Sequence, residues 1–183
     1  MKIRAARVSD APAICGIVNY FAERGRMLHR SLESVYDAIR EFDVAEDAEG
    51  NVVGCVALDV YWSDLAEIKS LAVLPAKRGA GIGSKLTAAA VRDARRLGVR
   101  RVFTLTYEKE FFRNHGFRVV SRAKLPDKVW RECIGCPKEE ACDETAMMIN
   151  PNRAGVRGLA GKSKRGRGGK PSTRGVSRRH GGR

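Results

Sequence analysis

The spacing of apolar residues along this chain predicts a mixed α/β protein. Apolar residues at helical spacing, such as Ile14, Ile17, Val18 and Phe21, predict helices, and short runs rich in β-branched residues predict strands. The predicted elements are strand 2–8, helix 9–25, helix 31–42, strands 43–47, 52–61 and 67–74, helix 82–97, strand 99–106, helix 108–115, a strand after residue 117 and strand 145–149. Because three strands follow one another without a helix between them, the pattern indicates a mixed sheet rather than alternating parallel units.

Capping and turn residues predict several of the boundaries. Ser9 and Asp10 are suited to cap the first helix, and Gly25 is suited to end it. The second helix is predicted to share one face among Leu32, Val35, Tyr36, Ile39 and Phe42. The helix 82–97 is predicted to bury Ile82, Leu86, Ala89, Ala90, Ala94 and Leu97.

The length and composition suit one packed domain. The chain has 183 residues, of which 43% are hydrophobic and 31% are charged. No stretch reaches the roughly 18 apolar residues of a membrane helix, and no apolar segment follows the charged N-terminal residues. We therefore expect a protein that neither spans a membrane nor is secreted, and we expect it in the cytoplasm.

The net charge of +14 comes mainly from the end of the chain. Residues 153–183 contain 11 Lys and Arg residues, nine Gly residues and no acidic residue, which leaves +3 on residues 1–152. Such a segment has too few aliphatic residues to fold. We predict a folded domain over 1–152 and a disordered basic tail over 153–183. The tail either makes weak contacts with a polyanion such as a nucleic acid or acts as a solvated spacer.

A glycine-rich loop between a predicted strand and a predicted helix is the clearest candidate binding site. The loop runs from Arg78 to Gly83, and Lys77 adds a further positive charge. Glycines let the main chain approach a ligand closely, and the first turn of a helix offers N–H groups to an anion. The P-loop is excluded because no Gly-Lys-Ser/Thr follows, and the dinucleotide fingerprint is excluded because Ser84 replaces its third glycine.

The loop has the pattern Arg-x-x-Gly-x-Gly, and with two further segments it resembles the GNAT superfamily of acetyl-CoA-dependent N-acetyltransferases. These segments are the strand 68–75, which ends in Val-x-Pro, and the stretch 111–117, which ends in a Gly-Phe turn. The resemblance covers residues 3–150. It implies an α/β GNAT fold, in which helices flank a mixed, mostly antiparallel central sheet. Dimers are common in this superfamily, so a homodimer is one expected assembly.

This resemblance also implies how acetyl-CoA binds. Main-chain amides of the glycine loop would hold the diphosphate of CoA, and the preceding strand would pair with the pantetheine arm. An amide of that strand could also stabilise the tetrahedral oxyanion. The residues implied in binding acetyl-CoA are Leu71, Ala72, Val73, Arg78, Gly79, Ala80, Gly81, Ile82, Gly83 and Phe112.

The transfer of an acetyl group requires a neutral amine, and therefore a base. Glu67 precedes the strand that would bind the acetyl group and is the best-placed candidate; the alternative is a carboxylate at a strand end with no catalytic role. Many GNAT enzymes carry a Tyr four residues before the Gly-Phe turn, where it protonates the thiolate. This chain has Phe112 at that position, so Tyr107 or solvent would have to supply the proton.

Within the superfamily, the chain looks most like the acetyltransferase domain of N-acetylglutamate synthase. The match implies acetylation of the α-amine of L-glutamate, the first step of arginine biosynthesis, with Arg30, Lys69 and Ser70 as substrate-binding residues. The stretch 129–144 does not have the basic segment that completes the glutamate site of the larger synthases. Two alternatives therefore stay open: a GNAT enzyme for another amine, such as another amino acid or a protein N-terminus, and a nucleic-acid-associated or metal-binding GNAT-like protein.

A cluster of cysteines lies near the end of the domain. Cys133, Cys136 and Cys142 follow a C-x-x-C-x₅-C pattern, whose first two thiolates can reach one metal ion. Zinc would need a fourth ligand, which Asp143 or His115 could provide. A redox pair and inert thiols are the other interpretations. Cys15 and Cys55 lie in predicted apolar elements, so both are expected in the core.

Overall fold

A computed structural model describes residues 1–126, 134 and 142–153 of the chain. These residues form seven strands and four α-helices, and short 3₁₀ turns connect several of them. In chain order they are β1 (Lys2–Ala5), α1 (Ala11–Ala22), α2 (Leu32–Asp37), β2 (Phe42–Glu46), β3 (Val52–Trp62), β4 (Leu65–Val73), α3 (Ile82–Arg96), β5 (Arg101–Thr106), α4 (Lys109–Asn114), β6 (Arg118–Val119) and β7 (Thr145–Ile149). The predicted order of helices and strands is confirmed.

The strands form one mixed sheet in the order β1-β2-β3-β4-β5-β7-β6. Every neighbouring pair is antiparallel except β4 and β5, which run parallel. The parallel pair exists because α3 carries the chain back across the sheet between these two strands, as a parallel connection requires. The expected fold class, a mostly antiparallel mixed sheet flanked by helices, is therefore confirmed.

Helices cover both faces of the central strands. Along β3, Cys55 and Ala57 belong to an apolar cluster with α1, whereas Val56 and Leu58 belong to a second cluster with α3. Successive side chains of a strand point to opposite faces of the sheet. A strand covered on both faces can be apolar throughout, which explains why the run from Val53 to Leu58 does not alternate with polar residues.

The buried face of α3 is confirmed in all but one position. Ile82, Leu86, Ala89, Ala90 and Ala94 are buried, as predicted. Leu97 was also expected in the core, but 58% of it is exposed. The helix ends at Arg96, and Gly98 turns the chain with a φ of 79°, so that Val99 is buried and Leu97 remains at the surface.

The first strand is shorter than predicted because a polar cluster turns the chain. The strand ends at Ala5, and a 3₁₀ turn occupies residues 8–10. The carboxylate of Asp10 accepts a hydrogen bond from the amide of Arg7 at 2.7 Å and another from the guanidinium of Arg4 at 2.6 Å. Asp10 was expected to share the capping of α1 with Ser9. Its carboxylate instead joins this turn to β1, and it makes no capping bond to α1.

We predict that the Arg4–Asp10 pair makes folding sensitive to acid. The side chains are only 11% and 9% exposed, and the hydrogen bond from Arg4 is the main cause that lowers the pKa of Asp10. A lowered pKa stabilises the fold above the unfolded-state pKa of about 3.9, and that stabilisation is lost as the pH falls further. Asp10→Asn should cost about 2 kcal/mol in the free energy of unfolding at pH 7.

Urea unfolding at pH 7 and at pH 3 measures this effect. The difference between Asp10→Asn and the wild type should shrink at the lower pH, because below about pH 3.9 the unfolded wild type takes up a proton at Asp10, which favours unfolding. An unchanged difference at the two pH values would contradict this role for the charge of Asp10.

The second helix is also shorter than predicted. It ends at Asp37, a 3₁₀ turn follows over residues 39–41, and β2 begins at Phe42. Val35 and Phe42 are buried, but Leu32 and Tyr36 are each 41% exposed. The apolar residues at helical spacing therefore extend over a short helix and the start of a strand, and only some of them face the core.

Several predictions fall wholly or partly outside the described residues. The basic tail lies outside them beyond Arg153, so the domain boundary at residue 152 stays a prediction. Cys133 and Cys136 also lie outside them. Within the described parts of the chain, no helix has both the length and the apolar character needed to cross a bilayer.

Candidate active site

A cleft opens where the two parallel strands separate. Strands β4 and β5 pair only from Leu65 to Glu67 on one strand and from Arg101 to Phe103 on the other. Both strands then continue without pairing to each other, β4 to Val73 and β5 to Thr106. A cavity of about 610 Å³ is lined by residues of both separated halves, of the glycine loop and of the segment between α1 and α2.

Most of the site residues predicted from the sequence line this one cavity. It includes the predicted base, the three predicted substrate residues and nine of the ten predicted acetyl-CoA residues. These residues are Glu67, Arg30, Lys69, Ser70, Leu71, Ala72, Val73, Arg78, Gly79, Gly81, Ile82, Gly83 and Phe112. Ala80 was also predicted to bind the coenzyme; it is exposed and does not line this cavity.

The glycine loop presents its main chain to the cavity. Gly79 and Gly81 have φ values of 80° and 71°, which side-chain-bearing residues rarely adopt, and a Cβ added at either would meet no atom within 4 Å. Gly81 is the N-cap of α3, so amides of the first helical turn follow it directly. Arg78 lies over the ring of Phe21, 5.1 Å from its centroid. The loop therefore combines open main-chain donors with positive charge, and its geometry fits a diphosphate.

A β-bulge interrupts β4 beside the cavity. The register passes from Ala57 opposite Lys69 to Cys55 opposite Ala72, which leaves one residue of β3 facing two of β4. Ser70 lies in this bulge with a φ of 53°, the one positive φ among the described non-glycine residues. The thiol of Cys55 donates to the carbonyl oxygen of Ser70 at 3.4 Å, and burial raises its pKa to about 12, so it stays protonated. Sequence reasoning did not identify this bulge.

The bulge requires a glycine on the neighbouring strand. A Cβ built at Gly54 would lie 2.9 Å from the carbonyl oxygen of Ala72 and 3.3 Å from a methyl group of Leu86. We predict that Gly54→Ala lowers the free energy of unfolding by about 1–3 kcal/mol, because the backbone or the core must shift. Urea denaturation measures the loss.

Gly16→Ala is the matched control for this substitution. Gly16 is exposed inside α1, and an added Cβ meets nothing within 4 Å. This variant should gain up to about 1 kcal/mol from helix propensity. If the two variants changed stability in the same direction, the close approach at Gly54 would not be the cause.

Arg30 is held by its main chain at the wall of the cavity. The side chain of Asn19 on α1 accepts a hydrogen bond from the amide of Arg30 at 2.9 Å and donates one to its carbonyl oxygen at 2.8 Å. Ser31 then caps α2, accepting a hydrogen bond from the amide of Ser34. These bonds position the segment between α1 and α2, whose Arg26, Met27 and Leu28 also line the cavity. Sequence reasoning did not include these three residues in the site.

Two further predicted residues have defined surroundings. Glu67 is buried, with 7% exposed, at the point where β4 and β5 separate. The ammonium of Lys69 donates to the carboxylate of Asp59 at 2.6 Å, so its charge is balanced within the protein.

Phe112 occupies the position where many GNAT enzymes carry tyrosine. It is buried against Phe111 and Phe117, with ring centroids 5.1 Å from each, and it cannot supply a proton. Tyr107 lines the cavity and is the phenol closest in sequence to this position. Thr104, Thr106 and Glu108 also line the cavity, and no motif distinguishes them in the sequence.

The described residues do not support a zinc site. Over residues 1–126, 134 and 142–153, no three His, Cys, Asp or Glu side chains are grouped to hold a metal. The sulfur of Cys142 accepts a hydrogen bond from Arg122 at 3.0 Å, and Nδ1 of His115 lies 2.7 Å from the carbonyl oxygen of Phe111. Cys133 and Cys136, the other predicted ligands, lie outside the described residues.

Comparisons with known proteins agree with this geometry. Residues 38–119 match the family model described as the acetyltransferase (GNAT) domain. An uncharacterized N-acetyltransferase of Chlorobaculum tepidum is 44% identical over 80% of this chain and 94% of its own length. An amino-acid acetyltransferase of Mycobacterium tuberculosis is 45% identical over 71% of this chain and 75% of its own length.

A solved structure extends the likeness to a ligand-bound protein. The N-acetylglutamate synthase of Neisseria gonorrhoeae, complexed with coenzyme A and N-acetyl-glutamate, has a TM-score of 0.75 and 31% identity over 83% of this chain and 35% of that chain. The chain belongs to the GNAT family of acetyltransferases. It is an acetyl-CoA-dependent N-acetyltransferase and a homologue of the amino-acid acetyltransferases.

Proposed function

We propose that this enzyme transfers the acetyl group of acetyl-CoA to the α-amine of L-glutamate. The observation that carries the proposal is that one cavity contains both the glycine loop before α3 and the side chains of Arg30 and Lys69, which we call the cationic wall. The name of the amino-acid acetyltransferase relative supports an amino acid as the acceptor, and the synthase complexed with N-acetyl-glutamate supports glutamate in particular. The product would enter arginine biosynthesis, and we propose a cytoplasmic location for the reaction.

The donor would bind along the loop and the separated half of β4. The main-chain amides from Gly79 to Gly83 would hold the diphosphate, and Arg78 would add a charge-assisted contact. The main chain from Leu71 to Val73 begins within the bulge and does not pair with β5, so it can pair with the pantetheine arm as an added strand would. The bulge at Ser70 would direct an adjacent amide toward the thioester carbonyl.

The chemistry would be a direct attack of the amine on the thioester. Glu67 would take a proton from the acceptor's ammonium group, directly or through water, and the neutral nitrogen would then form a C–N bond with the carbonyl carbon. The nitrogen of the tetrahedral intermediate would lose its second proton to water, and collapse of the intermediate would break the C–S bond and release the thiolate of CoA. Because Phe112 cannot donate a proton, solvent or the phenol of Tyr107 would protonate this thiolate.

The acceptor's carboxylates would be held at the cationic wall. The guanidinium of Arg30 can bind a carboxylate through two parallel hydrogen bonds, and Asn19 fixes the main chain that carries it. Lys69 and Ser70 would offer further donors from β4. Lys69 is paired with Asp59, so we assign it an orienting hydrogen bond rather than an unbalanced charge.

A panel of acceptors tests this proposal. Release of the free CoA thiol should be followed with acetyl-CoA and L-glutamate, L-glutamine, L-aspartate, L-lysine or an N-terminal peptide. Glutamate should give the highest kcat/KM, because both of its carboxylates can bind donors of the cationic wall. If glutamate supports no more thiol release than water does, the substrate assignment is wrong. A better rate with the peptide would favour a protein N-terminus as the acceptor.

A further inference from the structure

The proposed acceptor raises the question of which side chain binds its second carboxylate. The described part of the cavity wall carries five cationic side chains: Arg26, Arg30, Lys69, Lys77 and Arg78. Arg78 belongs to the glycine loop and Lys77 directly precedes it, and the ammonium of Lys77 is 3.3 Å from the carboxylate of Asp47. Lys69 forms a pair with Asp59 in which the side chains are only 12% and 24% exposed. Two cationic side chains remain away from the glycine loop and from the shielded Lys69 pair, namely Arg30 and Arg26, and the ion pair of Arg26 is exposed.

Arg26 forms an ion pair that connects two walls of the cavity. It lies in the segment between α1 and α2, and its guanidinium donates to the carboxylate of Glu108, which lies between β5 and α4. The two residues are 82 positions apart in sequence, and both line the cavity. The guanidinium also lies 5.5 Å from the centroid of the Tyr107 ring, which supports it from one side.

This ion pair is well suited to exchange its carboxylate. The side chains of Arg26 and Glu108 are 50% and 65% exposed, so both reach solvent at the rim of the cavity. Exposed ion pairs contribute little to stability, and breaking one to form another of the same kind costs little. The carboxylate of Glu108 is also the same chemical group, on the same side chain, as the distal carboxylate of the proposed acceptor.

We propose that Arg26 binds the side-chain carboxylate of the acceptor, and that Glu108 occupies this position when no acceptor is bound. The inference rests on the proposed function. On binding, the acceptor's carboxylate replaces that of Glu108 on Arg26, and Glu108 turns to solvent. When the acceptor is a dicarboxylate, the charge of Arg26 stays balanced, because one carboxylate replaces another. An acceptor with a neutral side chain has no group to displace Glu108. Arg26 and Glu108 together therefore select for a carboxylate on the acceptor's side chain.

Charge-neutral variants at the two positions should change the KM for glutamate in opposite directions. Arg26→Gln removes a charge-assisted hydrogen bond, so the KM for L-glutamate should rise on the order of 10- to 100-fold with kcat nearly unchanged. Glu108→Gln removes the internal competitor, so this KM should fall by about two- to fivefold. With L-glutamine as acceptor, Arg26→Gln should change the KM by less than about threefold. Arg26→Lys should recover part of the loss.

This opposite direction distinguishes the proposal from a purely structural ion pair. If the pair only joined the two walls, breaking it from either side would leave the same open rim, and both variants would shift the KM in the same direction. Arg24→Gln is the matched control: its side chain is 51% exposed, pairs with Glu23 and does not line the cavity, so kinetics should stay at wild-type values. Thermal unfolding and the Kd for CoA should be unchanged in all four variants.

The outcomes separate this inference from the function on which it rests. A wild-type enzyme that does not acetylate glutamate overturns the proposed function and this inference together. A wild-type enzyme that acetylates glutamate, with both variants shifting the KM in one direction or with Arg26→Gln leaving it unchanged, overturns the inference alone. Opposite shifts with glutamate, and little effect with glutamine, support it.

Discussion

Glu67→Gln is expected to lower kcat by about 10²- to 10⁴-fold at neutral pH, since general-base catalysis typically contributes this much. The substitution preserves the size of the side chain, but the amide cannot accept a proton from the acceptor's ammonium group. Glu67 is 7% exposed and lies where β4 and β5 separate, so bulk water has limited access to replace it. The rate of the variant should rise with pH, because the fraction of neutral acceptor amine rises with it. Steady-state kinetics between pH 6 and pH 9 measure both effects.

A second carboxylate at the cavity provides the comparison. Glu144 also lines the cavity, next to the first residue of β7, and Glu144→Gln removes an equal charge. The kcat of Glu144→Gln should fall by less than about tenfold, because this substitution changes only the electrostatic field of the cavity. The Kd for CoA should be the same in both variants. A Glu67→Gln enzyme with kcat close to the wild type, or without a rise at high pH, would contradict the assignment of Glu67 as the base.

Gly81→Ala is expected to weaken acetyl-CoA binding by more than about tenfold, which corresponds to about 1.4 kcal/mol. Gly81 has a φ of 71° and is the N-cap of α3 at the wall of the cavity. An added Cβ meets no protein atom, so it would stand in the space that we assign to the diphosphate. Alanine also disfavours this left-handed conformation by roughly 1–2 kcal/mol, which would turn the amides of the loop away from the ligand. Titration calorimetry with CoA measures the change in Kd.

Gly50→Ala separates the loss of binding from the loss of stability. Gly50 lies in the hairpin between β2 and β3 with a φ of 86°, and a Cβ there also meets nothing within 4 Å. It does not line the cavity. The two variants should therefore lose a similar free energy of unfolding, but only Gly81→Ala should bind CoA more weakly. Equal Kd values for both would show that the loop does not hold the coenzyme.

The residues of the glycine loop and of β4 that line the cavity could be predicted from the sequence, because their positions depend on local geometry. A run of glycines between a strand and a helix can be recognised from neighbouring residues alone, and α3 does begin directly after Gly81. The resemblance to the GNAT superfamily then placed Glu67 and the strand residues beside this loop, and they line the same cavity. Ala80 is the one predicted acetyl-CoA residue that does not line the cavity, and its role in binding through its main-chain amide stays a prediction.

The acceptor side could not be predicted as fully, because it is built from contacts between distant segments. Asn19 reaches Arg30 across 11 positions, and Arg26 reaches Glu108 across 82. Neither pair forms a motif in the sequence. The bulge at Ser70 depends on the register between β3 and β4, which the composition of either strand does not specify. The predicted buried faces of α2 and α3 were partly wrong, since Leu32, Tyr36 and Leu97 follow the apolar spacing but are exposed.

Binding of labelled L-glutamate to the protein saturated with CoA tests most directly the claim that one cavity holds donor and acceptor together. Equilibrium dialysis suits this measurement, because CoA lacks the acetyl group and the complex cannot react. The account predicts one glutamate per chain, bound while CoA stays in place. If no glutamate is retained, or if CoA displaces it in proportion to the CoA bound, the two ligands do not share the cavity in the way proposed.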